Sequence, residues 1–321
     1  MKGFAGFDIG GTNARVRLYG KDWRPIAEQR RLTRGAAPEA VVETMCEMLL
    51  SACKEAGIAP GTLASVGVGI AAQLDRSGQT VLNAPNLGWR NVPFGAMLRE
   101  ALQGDLGAPK TRMVNDLNAI LWGEHSAGAV RDAKNVLAVY VGTGVGGAIL
   151  TDGRLFFGAG GNAGEIGHSK VSPGGLLCGC GERGCVEAYA GGLHLEQRAV
   201  EIATYNCLED VLREGDGPLA DLEAADQLAA SGEPHFDKSW QIATDYLAVV
   251  IANACTLLNP SVLLLGGGVL DNLADFRARL LGKIPALVLE TARDDLEIRS
   301  PELGDDAGVL GAARLAAEFG R

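Results

Sequence analysis

The stretch GFAGFDIGGTNARVRLYG, residues 3–20, sets the reading of the whole chain. GFAGFDI (3–9) reads as a buried strand and GGTN (10–13) as a tight turn. ARVRLYG (14–20) alternates apolar and polar residues, as the returning strand of a hairpin does. The same order returns later: NVLAVYVG (135–142) is a strand, TGVGG (143–147) a glycine turn and AILTDGRLFFG (148–158) a hairpin. A strand, glycine turn and return strand that occur twice point to two similar α/β halves.

The segments between fit that plan. A third strand is expected near 26–33, and a helix over PEAVVETMCEMLLSACKEAG (38–57) with Gly57 at its C-terminal end. ASVGVGI (64–70) is a strand, 91–107 contains a helix, TRMVND (111–116) is a strand ending in a carboxylate, and LNAILWGEHSAG (117–128) is a helix. Residues 192–258 read as mostly helical, with an acidic segment around 206–233. SVLLLGGGV (261–269) is a strand running into three glycines and FRARLLGKI (276–284) a helix. ALVLE (286–290) and LEIRS (296–300) read as short strands, and DDAGVLGAARLAAEF (305–319) as a closing helix with small residues on one face. The halves are expected to divide at 117/118, with 304–321 returning to the N-terminal one.

Bulk properties narrow the function. A chain of 321 residues has room for two domains, and 47% hydrophobic residues supply a sizeable core. The 45 glycines follow no three-residue period; they cluster in short loops beside apolar runs, where backbone can approach a ligand closely. A net charge of −10 with no long basic run argues against a nucleic-acid partner. Runs such as VLAVYV (136–141) and VLLLGGGVL (262–270) are too short to span a bilayer, so no membrane partner is expected. Asp8 interrupts any apolar signal region in MKGFAGFDIGG, so a cytoplasmic protein is expected, where disulfides are disfavoured.

Three loops suggest a nucleotide. FDIGGTN (7–13) puts Asp8 on a strand end beside Gly10, Gly11 and the Thr12 hydroxyl. Backbone N–H groups can cradle an anion there, and a carboxylate beside a phosphate calls for a cation such as Mg²⁺. No helix follows directly, so this is neither a Walker A loop nor a dinucleotide fingerprint. VGTGVGGA (141–148), with Thr143, is a second cradle, and LLLGGGV (263–269) would let a nucleotide lie against bare backbone. Hairpin turns alone would explain any one of these loops; three of them favour a nucleotide. RMVNDLNAI (112–120) puts Asn115 and Asp116 at the carboxyl end of a strand, where ligands collect in α/β sheets. Asp116 reads either as the N-cap of the following helix or as the base that phosphoryl transfer to a hydroxyl needs.

Cys178, Cys180 and Cys185 form C-x-C-x₄-C, with His168 upstream. Three thiolates and one imidazole make a closed tetrahedral zinc set, which is structural and activates no water. A disulfide would leave an odd cysteine, and a redox pair is more often C-x-x-C. Glu165 and Glu187 flank this loop and could be held rigidly toward a polyol. With one His168 nitrogen on zinc, the other could donate to a hydroxyl. Cys46, Cys53, Cys207 and Cys255 lie in apolar helical contexts and read as packing residues.

DIGGTN (8–13), the ND of VNDLNA (114–119), VGTGVGGA (141–148), AGEIGH (163–168), CGCGERGCVE (178–187), LLLGGGV (263–269) and DDAGVLGAA (305–313) stand in the order seen in the ROK family of bacterial sugar kinases and related sugar-responsive repressors. The chain resembles that family over nearly its whole length, and most resembles its bacterial glucokinases. The resemblance implies an actin-like ATPase (ribonuclease H-like) α/β fold of two domains with a ligand cleft between them. It implies transfer of the γ-phosphoryl group of ATP to the 6-hydroxyl of glucose, with Asp116 as general base. Asn86, Asn115, Glu165, His168 and Glu187 match the sugar contacts. Asp8 matches the Mg²⁺-associated aspartate. Gly10, Gly11, Thr12, Asn13, Thr143 and Gly144 match the phosphate loops, and Gly267 and Gly268 the adenosine side. His168, Cys178, Cys180 and Cys185 match structural zinc ligands. A homodimer is implied, with 192–258 the expected contributor.

Where the family usually has a G-x-P-G turn, this chain reads GIAAQLD (69–75). That loop lies near the sugar in relatives, so N-acetylglucosamine, N-acetylmannosamine and fructose stay open as substrates. Polyphosphate is an alternative donor, disfavoured by the acidic charge. The family's repressors carry a helix-turn-helix domain before the glycine loop, which here begins at residue 8. A non-catalytic sugar sensor is the alternative of another class. An activator of the same superfold with an iron–sulfur cluster is a further one, and C-x-C-x₄-C with a nearby His suits zinc better.

Overall fold

A computed structural model of the chain describes residues 2–33, 35–208, 211–213 and 219–319. In chain order the elements are β1 (Gly3–Ile9), β2 (Asn13–Tyr19), β3 (Pro25–Leu32), α1 (Pro38–Glu55), β4 (Leu63–Ile70), β5 (Gln73–Leu74), β6 (Val81–Ala84), β7 (Trp89–Val92), α2 (Phe94–Ala101), β8 (Lys110–Asn115) and α3 (Asp116–Ala127). They continue as β9 (Val136–Val141), β10 (Val145–Thr151), β11 (Arg154–Leu155), α4 (Glu187–Ala190), α5 (Gly192–Asn206), β12 (Leu212–Arg213), β13 (Leu219–Ala220), α6 (Leu222–Ala230) and α7 (Pro234–Leu258). The chain closes with β14 (Val262–Gly266), α8 (Gly268–Asn272), α9 (Ala274–Leu287), α10 (Glu290–Arg293), β15 (Glu297–Arg299) and α11 (Asp306–Phe319). Two compact units result: Met1–Ala133 with Ala148–Ala163 and Pro301–Arg321, and Lys134–Gly147 with Gly164–Ser300.

The first sheet has the order β3-β2-β1-β4-β8. β2 runs antiparallel to β1 and β3, whereas β1, β4 and β8 are parallel. Side chains alternate between the faces of a strand. Ala5, Phe7 and Ile9 of β1 and Val66, Val68 and Ile70 of β4 join Val41, Met45, Met48 and Leu49 of α1 in one core. The intervening residues face α11. Gly6 and Gly67 pair across β1 and β4, and a Cβ on either would collide with an α11 carbonyl, that of Val309 or Ala312. The closing helix therefore rests its backbone directly on the sheet. α3 meets α11 in the same way, since Cβ atoms at Gly123 and Gly311 would strike the Ala307 and Ala119 carbonyls. This glycine packing places α3 with the first unit.

The second five-stranded sheet has the order β11-β10-β9-β14-β15, with β9, β14 and β15 parallel. In the second unit α7 packs against α6 and α9. Asp226, buried on α6, accepts from Trp240 Nε1 on α7 at 2.7 Å and from the backbone N–H groups of Asp275 and Phe276 at 2.8 and 2.9 Å. One carboxylate so ties three helices and caps the exposed amides of α9. By length and composition α7 could cross a membrane, contrary to the expectation that every apolar run is too short. Its buried Phe236, Trp240, Leu247, Ile251 and Cys255 give it the pattern of a core helix.

Two segments differ from their sequence-based reading. Residues 286–290 end α9 and begin α10 instead of forming a strand. A short apolar run suits either state, and continuity with the preceding helix decides it. Residues 73–92 form a three-stranded sheet, β5-β6-β7, that periodicity did not signal. Within the acidic 206–233 segment, residues 209, 210 and 214–218 lie outside the described residues.

Candidate active site

Parallel pairing of β1, β4 and β8 brings the carboxyl ends of all three strands to one sheet edge. The glycine turn after β1 is closed by Gly10 N–H donating to the Asn13 carbonyl at 2.9 Å, and Thr12 carbonyl accepts from Thr33 N–H at 2.8 Å. Gly11 packs on the residue expected to contact sugar, Asn86: a Cβ on Gly11 would lie 2.7 Å from the Asn86 Cβ. Asp8 shares the α11-facing side of β1 with Gly6, and a Cβ on Gly308 would lie 3.7 Å from its Cγ. Burial pushes the Asp8 carboxyl up, Arg15 opposite it on β2 pulls it down, and Asp305 adds to the upward shift. A cation beside Asp8 would oppose that upward shift and favour the carboxylate, so its setting fits the Mg²⁺ role.

At the β8–α3 junction the cap is not Asp116. Asn115 is the N-cap: its Oδ1 accepts from Leu117 N–H at 2.9 Å and from Asn118 N–H at 3.4 Å. Its Nδ2 donates to the Ala72 carbonyl at 3.3 Å, which holds the GIAAQLD loop against the junction. Asp116 occupies the first turn of α3, where Oδ1 accepts from Leu117 N–H at 2.9 Å. Asn115, expected to meet sugar, thus has its oxygen in the cap and its nitrogen on Ala72.

In the second unit, β9 and β14 are parallel, and the loops that follow them adjoin. Gly267 has φ +101°, and a Cβ there would sit 2.6 Å from the Val141 carbonyl oxygen, so only glycine fits. Gly142, Thr143 and Gly144 form the turn between β9 and β10. Glu187 at the start of α4 reaches this turn: its Oε2 accepts from Val145 N–H at 3.0 Å. Its Oε1 lies 3.3 Å from Cys178 Sγ and 4.0 Å from His168 Nδ1. His168 directs Nδ1 to Cys178 Sγ at 3.7 Å and Nε2 to Glu165 Oε2 at 3.6 Å. Glu165, His168, Glu187, Thr143 and Gly144 are therefore neighbours.

The cysteine loop has the dimensions of a metal site. Ligand atoms of His168, Cys178, Cys180 and Cys185 all lie within 4.8 Å of one another. Cys180 Sγ and Cys185 Sγ are 3.8 Å apart. A tetrahedron with zinc–sulfur bonds of about 2.3 Å has sulfur–sulfur edges of about 3.8 Å. Burial pushes the Cys178 thiol up. Burial would do the same to Cys180, but the Glu182 N–H and neighbouring thiols hold that group low. A cation among them is what would keep all three as thiolates. Lys170, which sequence reasoning missed, sets its Nζ 3.0 Å from Cys185 Sγ and 3.0 Å from Glu182 Oε2. Both contacts, Cys185 foremost, raise its pKa. A lysine two residues after a candidate ligand was the available signal.

Comparison with known proteins bears on both halves of the site. The ROK family model matches residues 4–318. A glucokinase of Streptomyces coelicolor is 32% identical over 319 residues, covering 98% of this chain and 97% of that protein. An N-acetyl-D-glucosamine kinase of Yersinia pseudotuberculosis is 30% identical, covering 97% and 98%. Among solved structures, a ROK family glucokinase from Streptomyces griseus, in complex with glucose and AMPPNP, superposes with a TM-score of 0.79 at 30% identity, covering 98% of this chain and 99% of that one.

Proposed function

The chain belongs to the ROK family and has the actin-like ATPase fold of its sugar kinases, and from that premise we propose how its site works. The protein is an ATP-dependent glucokinase: it transfers the γ-phosphoryl group of ATP to the 6-hydroxyl of glucose. One observation carries the chemistry: a single sheet edge presents Asp8, the glycine turn of residues 10–13 and Asp116 together. Phosphoryl transfer asks the protein mainly for positioning and for a carboxylate to take the proton of the attacking hydroxyl. Asp116 is that base. Its place in the first turn of α3, behind the Asn115 cap, fixes it at the strand end.

Asn86 of the first unit, and Glu165, His168 through Nε2 and Glu187 of the second, would each supply a hydrogen bond to a sugar hydroxyl, and Asn115 holds the GIAAQLD loop to the β8–α3 junction. Polar groups used in this way reject a sugar that leaves one of them unpaired. The turns at Gly10–Asn13 and Thr143–Gly144 offer backbone N–H groups to the phosphates, and Gly267 and Gly268 leave room for adenosine. Mg²⁺, when bound, would neutralise charge on the transferring phosphoryl group, and Asp8 is the residue placed to hold it. Zinc would be held by His168, Cys178, Cys180 and Cys185, and would supply rigidity only.

Exposed Val249, Leu257 and Leu258 on α7, beside a 470 Å³ groove lined by Ile166, Tyr246 and Val250, support a homodimer through that face. Three thiols that would hold a metal are kept reduced most readily in the cytoplasm, which supports that location. The test is a panel of glucose, mannose, fructose, N-acetylglucosamine and N-acetylmannosamine with ATP, run beside Asp116→Asn. Glucose should lead, and the substitution should lower kcat by about 10²–10⁴-fold with the protein still folded. Preference for an N-acetylated sugar would keep the mechanism and overturn the substrate. No turnover by a folded, metal-loaded protein would overturn the kinase reading.

A further inference from the structure

We propose that Glu187 is a positioning residue for the phosphate loop, and that through it the metal site governs nucleotide affinity as well as sugar affinity. This rests on the reading of residues 142–145 as a phosphate loop and of the cysteine loop as a zinc site. Glu187 follows the last thiol, Cys185, by two residues. Val186 N–H donates to the Ser169 carbonyl at 2.9 Å, so the chain entering α4 is pinned beside the metal ligands. One Glu187 oxygen then faces Cys178 and the other holds Val145 N–H. The loop is shaped around that carboxylate: a Cβ on Gly144 would collide with Glu187 Oε2.

The clamp continues into α5. Gly192 N–H donates to the Gly142 carbonyl at 2.8 Å, and Leu193 N–H to the Thr143 carbonyl at 3.0 Å. A Cβ on Gly191 would lie 3.2 Å from both Gly144 Cα and the Thr143 carbonyl oxygen. The turn expected to cradle phosphates therefore has its own carbonyls and one N–H fastened to the segment that leaves the cysteine loop. Those bonds turn the carbonyls toward α5. A loop held in this way is pre-organised to aim its remaining N–H groups at an anion. Ordering the cysteine loop orders Glu187, and Glu187 orders the turn.

The test measures binding of a fluorescent ATP analogue directly, with zinc content and glucose affinity measured on the same samples. In the zinc-loaded protein, Glu187→Ala should weaken nucleotide binding by about 10-fold or more. Glu187→Gln keeps an acceptor for Val145 N–H and should restore most of that affinity. Stripping zinc from the wild type should weaken nucleotide binding comparably. Stripping it from Glu187→Ala should add little, because both changes remove the same link. Additive losses, or nucleotide affinity indifferent to zinc and to Glu187, would overturn the proposal while leaving the kinase reading intact. A stripped protein that does not fold leaves the Ala and Gln comparison at full zinc loading to decide. Wild type that binds no nucleotide, or carries no zinc, would overturn the reading beneath it.

Discussion

Replacing Glu124 with alanine should unfold the first unit far more readily than its distance in sequence from any motif suggests. Glu124 is fully buried on α3. Its carboxylate accepts from Ala129 N–H at 2.7 Å, from Leu303 N–H at 2.8 Å and from Glu302 N–H at 3.1 Å. It thus closes the C-terminal end of α3 and ties that helix to the segment leading into α11. Alanine would remove a fully buried acceptor shared by three backbone amides. A hydrogen bond contributes about 1 kcal/mol net, and an unsatisfied buried group costs up to about 3, so the loss of three part-buried bonds should be at least about 3 kcal/mol. Glutamine keeps one oxygen but turns an NH₂ group toward the donors, and should fall between the two. The assay is urea unfolding followed by tryptophan fluorescence, to which Trp122 on the same helix contributes. Because α3 begins with Asp116, kcat should fall at denaturant concentrations that leave the wild type active. An alanine variant within about 0.5 kcal/mol of wild type would refute the reasoning, since that is the range of surface substitutions away from such features.

Three further outcomes are expected. Cys180→Ser, at the exposed ligand, should lower bound zinc below one per chain and the melting temperature by about 5 °C, read by metal analysis and calorimetry; full zinc retention would remove Cys180 from the ligand set. Gly67→Ala should destabilise by about 3 kcal/mol, because its Cβ meets the Ala312 backbone carbonyl and backbone cannot rotate away; equilibrium unfolding would show it, and a loss below about 1 kcal/mol would mean that α11 can lift from the sheet. Hydrogen bonding from Arg15 above all holds the Glu28 carboxyl down at about 2 from an ordinary 4.5. A depressed carboxylate contributes stability above its unfolded pKa and loses it as pH falls. Wild type should therefore lose stability relative to Glu28→Gln between pH 4.5 and about 2, and parallel acid-unfolding curves would contradict this.

Much of the site was legible because its signals are local. Asp8 with Gly10, Gly11 and Thr12 sits in one turn, and Cys178, Cys180 and Cys185 fall within eight residues. Spacing that short fixes which side chains can converge, whatever the rest of the chain does. Sequence read Asp116 as either an N-cap or a base and did not offer Asn115 as the cap; Asn and Asp cap helices about equally well, and only the backbone entering α3 gives the cap to Asn115. Residues 286–290 were misread because four apolar residues in a row carry no period that separates strand from helix.

The sequence by itself determined most of the alternation of strands and helices, the glycine turns that close two hairpins, and the clustering of three cysteines, since each rests on contacts a few residues long. Tertiary structure alone decided what those parts touch. Glu124 finds its donors at 302 and 303, Gly11 meets Asn86, and Glu187 reaches back to Val145. Gly6 and Gly67 read as ordinary strand residues until α11, more than 230 residues away, lies across them. A buried polar group takes whichever partner the packed chain brings within hydrogen-bonding distance, and a missing Cβ matters only where another backbone arrives; neither is written in the residues on either side.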